Sequence, residues 1–124
     1  MANGKIKADT LEHSTAGSVD TQYVVSGSAK AWVNFNGTGT AAVNDSLSIS
    51  SLVDNGTSVF TLTVAAAFAN NQYSQVACLG HSNSNSGWGI LEDTNVARTT
   101  TAVKIVSWNG DFAVNSMNWH GDLA

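Results

Sequence analysis

Residues 46–64 read SLSISSLVDNGTSVFTLTV, and this stretch decides the fold class. In VFTLTV, Phe60, Leu62 and Val64 share one parity, while Val59, Thr61 and Thr63 share the other. An apolar-polar alternation of period two describes a strand with one face buried. SLSIS repeats the pattern, setting Leu47 and Ile49 on one face against serines. The link between the two strands is VDNGTS, in which Asn55 and Gly56 supply the positive φ angles of a tight hairpin turn. A strand, a turn and a second strand are therefore expected here, with Leu47 and Ile49 both facing the core.

The same reading extends in both directions. KAWVNFNGTGT (30–40) puts Ala31, Val33 and Phe35 on one face and Trp32 and Asn34 on the other, with Asn36 and Gly37 as its turn. QYSQVACL (72–79) is a strand with Tyr73, Gln75, Ala77 and Leu79 on one parity. Cys78 shares the parity of Val76 and reads as a small core side chain. AAAFANN reads as a connection or a single helical turn, HSNSNSGWG as a long polar loop, and ILEDTNVA as a short strand and turn. In TTTAVKIVSW, Val103 and Ile105 oppose Val106 and Trp108, and Asn109-Gly110-Asp111 is a second turn of hairpin type leading into DFAVNSMNW. Six or seven short strands separated by turns predict an all-β domain over residues 30–124, an antiparallel β-sandwich of jelly-roll-like form.

Residues 1–29 differ. Their apolar positions, Ile6, Leu11, Val19, Val24 and Val25, are isolated among polar ones, with no sustained period that would bury a face. An extended N-terminal assembly and attachment arm is expected, ordered against neighbouring subunits.

Composition narrows the function. The 124 residues suffice for one domain with a real core. Charged residues make up 11% of the chain, against about 25% in an average soluble domain. In their place stand 15 Ser, 12 Thr and 13 Asn, so the polar surface is neutral. Five scattered cations, Lys5, Lys7, Lys30, Arg98 and Lys104, form no basic patch, which argues against nucleic-acid binding. No apolar run approaches a membrane span, and the start MANGKIKADTLEH lacks the apolar region of a signal peptide. Without such a signal, the Asn-x-Ser/Thr triplets at Asn36, Asn44 and Asn55 read as turn chemistry rather than glycan acceptors. A single cysteine forms neither an internal disulfide nor a zinc framework. The chain has no proline to guard its edge strands, so self-association is a natural way to cover them.

No catalytic constellation emerges. His13, His81 and His120 sit in polar, loop-like contexts, and no Gly-x-Ser-x-Gly elbow accompanies the abundant serines. Glu92 and Asp93 are neighbours that point to opposite faces of a strand, not paired acids of one cleft. A metal on a threefold axis, held by one His81 or His120 per subunit, has some physical sense, but an exposed loop histidine is the plainer reading and no cofactor is expected. The rival to a structural role is carbohydrate recognition. Trp88, flanked by glycines after a polar loop, and Trp119 in MNWHGD are candidate stacking platforms, with Asn85 and His120 as polar contacts.

The segments KAWVNFNGTGT, DSLSISSLVDNGTSVFTLTV and ANNQYSQV, spanning residues 30–76 in order, resemble a domain of structural proteins in tailed bacteriophages and related prophages. GKIKADTLEHSTAG near the start resembles short segments that precede or link trimeric fibre domains. Asn44 stands where that family often carries arginine, and Ser58-Val59-Phe60 where it often has Gly-Asp-Tyr. The resemblance implies a virion component without catalytic activity. It would be a homotrimeric short fibre, fibre tip or head-decoration subunit contacting itself and other capsid or tail proteins. A fibre tip would also meet host glycans.

Overall fold

The computed structural model describes residue 4 and residues 6–80, 89–107 and 110–124. Its strands, in order, are β1 (Thr10–His13), β2 (Gly17–Asp20), β3 (Ala31–Asn36), β4 (Ala42–Leu47), β5 (Ile49–Asp54), β6 (Val59–Val64), β7 (Ser74–Gly80), β8 (Ile90–Glu92), β9 (Ala102–Ser107) and β10 (Val114–His120). One helix, α1 (Thr21–Gly27), follows β2. Eight strands form two four-stranded antiparallel sheets, ordered β4-β3-β10-β7 and β5-β6-β9-β8, while β1 and β2 make a separate hairpin. The expected antiparallel sandwich is the observed architecture.

Alternation built the core. Val33 and Phe35 of β3 and Met117 and Trp119 of β10 point inward from one sheet. Phe60 and Leu62 of β6 and Val103 and Ile105 of β9 meet them from the other. Phe35 and Phe60 touch edge to face with ring centroids 5.3 Å apart, joining the sheets at mid-core. Below them, Phe68 stacks on Tyr73 at 4.5 Å, and the chain's last residues close over that end through a bridge from Phe68 to Leu123. The AAAFANN stretch is thus a connection rather than a helix.

Three local expectations are corrected. SLSIS is not one strand: Ser48 adopts φ 57° and divides β4 from β5, which lie in different sheets. Ile49 packs on the core, whereas Leu47 faces outward and is exposed. The inward parity of β7 is that of Tyr73, Gln75 and Ala77, so Val76 and Cys78 face outward, and Cys78 is exposed instead of filling the core. Finally, β9 and β10 belong to opposite sheets, so the turn at Asn109-Gly110-Asp111 makes no hairpin. Asn109 itself lies outside the described residues, as does Trp108.

The turn residues act by different means. In the β5–β6 hairpin, Asn55 and Ser58 enclose a four-residue loop, and Gly56 (φ 119°) and Ser58 (φ 69°) carry the positive angles. Asn55 works through its side chain, its Nδ2 donating to Thr61 Oγ1 at 2.7 Å. After β3, Asn36 Oδ1 accepts from the amide of Thr38 at 2.9 Å and from its hydroxyl at 2.7 Å, a side-chain-closed turn. The positive φ falls on Gly39, not Gly37. Gly37 is buried, and its amide donates to Phe112 O at 2.8 Å.

Candidate functional site

The residues before the sandwich fold into a small appendage of their own rather than a single extended run. Hairpin β1–β2 pairs Leu11 with Val19. The turn at its tip is closed by His13, whose Nδ1 accepts from the amides of Thr15 at 3.3 Å and Ala16 at 3.2 Å. Thr21 then fastens the start of α1 to the strand before β1: its amide donates to Asp9 O at 2.8 Å and its hydroxyl to Ala8 O at 2.6 Å. At the far end Lys30 Nζ donates to Val25 O and, at 3.0 Å, to Ser28 Oγ.

What this arm lacks is cover. No described residue of it is buried, and α1 contributes none to any core. Ile6 is 93% exposed, and Leu11, Val19, Tyr23, Val24 and Val25 are all exposed. Ile6, Leu11, Val24 and Val25 nonetheless converge on one open cleft of about 490 Å³. A lone two-stranded hairpin is marginal in water, and so is an isolated helix shorter than ~12 residues. The five arm positions picked out by sequence, Ile6, Leu11, Val19, Val24 and Val25, are thus exposed apolar side chains, and the cleft brings four of the arm's apolar residues together.

A second surface lies on the outside of the β4-β3-β10-β7 sheet. Register sets Leu47, Trp32, Asn118 and Val76 in one row across the four strands. The adjacent row runs Asp45, Asn34, Ser116 and Cys78. Asn44 Nδ2 donates to Asn34 Oδ1, and Asn34 Nδ2 to Ser116 Oγ, each at 2.8 Å, forming a chain of neutral groups along the face. Trp32 is half-buried there and Val76 is 61% exposed. A shallow groove of about 370 Å³ runs between them. Reading strands by one buried parity missed this face. The signal was present in QYSQVACL, where apolar residues occupy both parities, as in strands covered on both sides.

The third polar assembly is structural. Arg98 grips Glu92 with two donors, Nε to Oε1 at 2.9 Å and Nη2 to Oε2, while its Nη1 donates to Tyr73 O at 2.7 Å. The guanidinium also lies 5.0 Å from the centre of the Tyr73 ring. Gln75 Nε2 donates to Glu92 Oε2 at 3.1 Å, and Trp119 Nε1 donates to Gln75 Oε1 at 3.1 Å. This network ties β7, β8 and β10 together across the two sheets. Burial pushes the Tyr73 phenol above its usual range, opposed by Arg98 and reinforced by Glu92. Asp93, next along, is held below the usual carboxylate range, first by its hydrogen bond from Lys104.

The carbohydrate expectation loses one of its two platforms. Trp119 is 1% exposed, its ring within the core and its N–H spent on Gln75, so no sugar stacks on it. His120, half-buried at the end of β10, lines a separate cleft of about 330 Å³ with Tyr73, Asp122 and Ser26 of α1. Trp88 and Asn85 lie outside the described residues, as does His81. Among the described residues no three His, Cys, Asp or Glu side chains converge as a metal site, and no helix is long and apolar enough to cross a membrane. No protein-family model, curated protein or solved structure matches the chain.

Proposed function

We propose that the chain is a non-enzymatic structural subunit that works by assembly: a homotrimeric short fibre, fibre tip or head-decoration protein of a bacteriophage particle. The observation that carries the assembly reading is the arm, which has defined backbone structure, presents converging apolar side chains and buries none of them. Ordering such a segment costs backbone entropy, and burial of Ile6, Leu11, Val24 and Val25 against another subunit works against that cost. The sandwich then serves as a rigid body and the arm as its attachment. The particle and the trimer rest on the resemblance of residues 30–76 to phage structural domains. The weakly charged surface and edge strands without proline agree with that reading, because in a closed ring each subunit covers an edge of its neighbour.

Two measurements on the full chain test it. Native mass determination at micromolar concentration is expected to give a trimer, and a monomer sinks the self-assembly reading. The double variant Val24→Asp/Val25→Asp is expected to keep the sandwich folded and to be lost from purified particles. Incorporation equal to that of the unaltered chain refutes the arm's role.

A further inference from the structure

We propose that copies of this chain meet through the outward face of the β4-β3-β10-β7 sheet, with Trp32 and Val76 buried against a second copy. The proposal rests on the assembly reading above and deepens it by naming the surface at which the subunits join.

Charge is the first argument. Of the eight residues in the two central rows, only Asp45 is charged, and it sits on the edge strand β4. The chain carries a net charge of −4, so two copies brought together repel unless the charges stay away from the contact. Identical copies of this face approach with little like-charge repulsion. The other sheet differs: Lys104 on β9 pairs with Asp93 at 3.2 Å, and Thr61 and Thr63 of β6 are turned to the same outer side. That is a solvated coat.

Hydrogen-bonding chemistry is the second. The polar groups of the face are neutral: Asn34 accepts from Asn44 and donates to Ser116, and Asn118 Oδ1 is buried without a hydrogen-bond partner in the single chain. Such neutral groups suit a copy of themselves, whereas a carboxylate-bearing partner finds no countercharge in these rows and a lysine-bearing one finds only Asp45, on the edge strand. Around them Leu47, Trp32, Val76 and Val114 supply apolar area, with Leu47, Val76 and Val114 exposed in the single chain. An aromatic anchor within a ring of neutral groups is the composition of an interface core, depleted of charge and rich in Trp and apolar contacts. A second copy is therefore the occupant.

The experiment uses the full-length protein and sedimentation velocity. Val76→Asp places a carboxylate in the middle of the contact and is expected to reduce the sedimenting mass to that of a single chain with an unchanged far-UV spectrum. Thr63→Asp, on the opposite sheet, is expected to leave the oligomer intact. Cys78, the chain's one thiol, lies in the same face and reports independently of any substitution. Maleimide labelling of the unaltered oligomer is expected to be at least roughly tenfold slower than after dilution to monomer, because thiol reactivity follows access. An oligomer in which Cys78 reacts as fast as in the monomer, or that Val76→Asp leaves whole, overturns this face while leaving the assembly reading standing. An unaltered chain that is monomeric at all concentrations overturns both.

Discussion

A β-carbon added to Gly37 would lie 2.8 Å from Phe60 Cζ, on the opposite sheet. The same added atom would sit 3.3 Å from both Asn115 Nδ2 and Phe112 O, so it has no direction in which to yield. Gly37 is thus demanded by close approach rather than by a left-handed turn. Gly37→Ala is expected to cost about 1–3 kcal/mol through overpacking, measured as a lower urea midpoint with the slope unchanged.

Asn115 is fully buried and donates Nδ2 to Phe112 O at 2.8 Å and Phe35 O at 3.2 Å, holding the start of β10 against the end of β3. Asn115→Asp replaces those donors with a carboxylate facing two carbonyl oxygens. A loss of about 3–5 kcal/mol is expected, on the scale of an uncompensated buried charge. Denaturant titration near neutral pH measures it, and a loss under about 1 kcal/mol would contradict the assignment.

The Arg98–Glu92 pair is partly shielded, with side chains 28% and 16% exposed. A double-mutant cycle with Arg98→Met and Glu92→Gln is expected to give a coupling of about 1 kcal/mol, diminished but not abolished by salt. Loss of Glu92 alone is expected to be worse than loss of both, since it leaves Arg98 without its countercharge.

Stability is expected to fall at both ends of the pH scale. Asp93 has its pKa lowered from 3.8, mainly by the Lys104 hydrogen bond, so its contribution is complete above 3.8 and disappears as pH falls through the lowered value. Tyr73 has its pKa raised from 10.0 by burial, so the folded state is favoured below 10.0 and loses that advantage as pH rises beyond it. Lys104→Met should flatten the acid limb alone, and melting curves across pH check both signs.

Deleting residues 2–29 is expected to leave the melting temperature of the sandwich nearly unchanged. All the buried hydrophobic side chains among the described residues lie between Ala31 and Trp119, so the core loses nothing. A large drop in melting temperature would show that the arm supports the sandwich.

Much of the sandwich was legible because its physics is local. In VFTLTV the period-two pattern alone identified the inward side chains, since a strand has only two faces, and Phe60 and Leu62 are buried as that pattern requires. In AVKIVSW both parities are apolar, and two-sheet packing selects Val103 and Ile105 as the buried pair. Asn55-Gly56 located the hairpin for the same reason, because backbone angles depend on the residues at the turn. Where both parities were apolar, as at Val76 and Cys78, the pattern did not choose, and the inward face was read wrongly. SLSIS failed differently: a positive φ at Ser48 sends Leu47 and Ile49 into separate sheets, and nothing in a serine announces that angle.

The amino-acid sequence by itself determined that this chain is a mostly β protein with a weakly charged surface, an alternating core and an N-terminal segment whose apolar residues are scattered among polar ones. Those properties follow from composition and from interactions between near neighbours. Only the tertiary structure decided which strands share a sheet, that Trp119 fills the core while Val76 joins Trp32 on an outer face, and that Gly37 makes room for Phe60. Each of these depends on residues distant in sequence meeting in space, and two-sheet packing, not the local pattern, selects which of them meet.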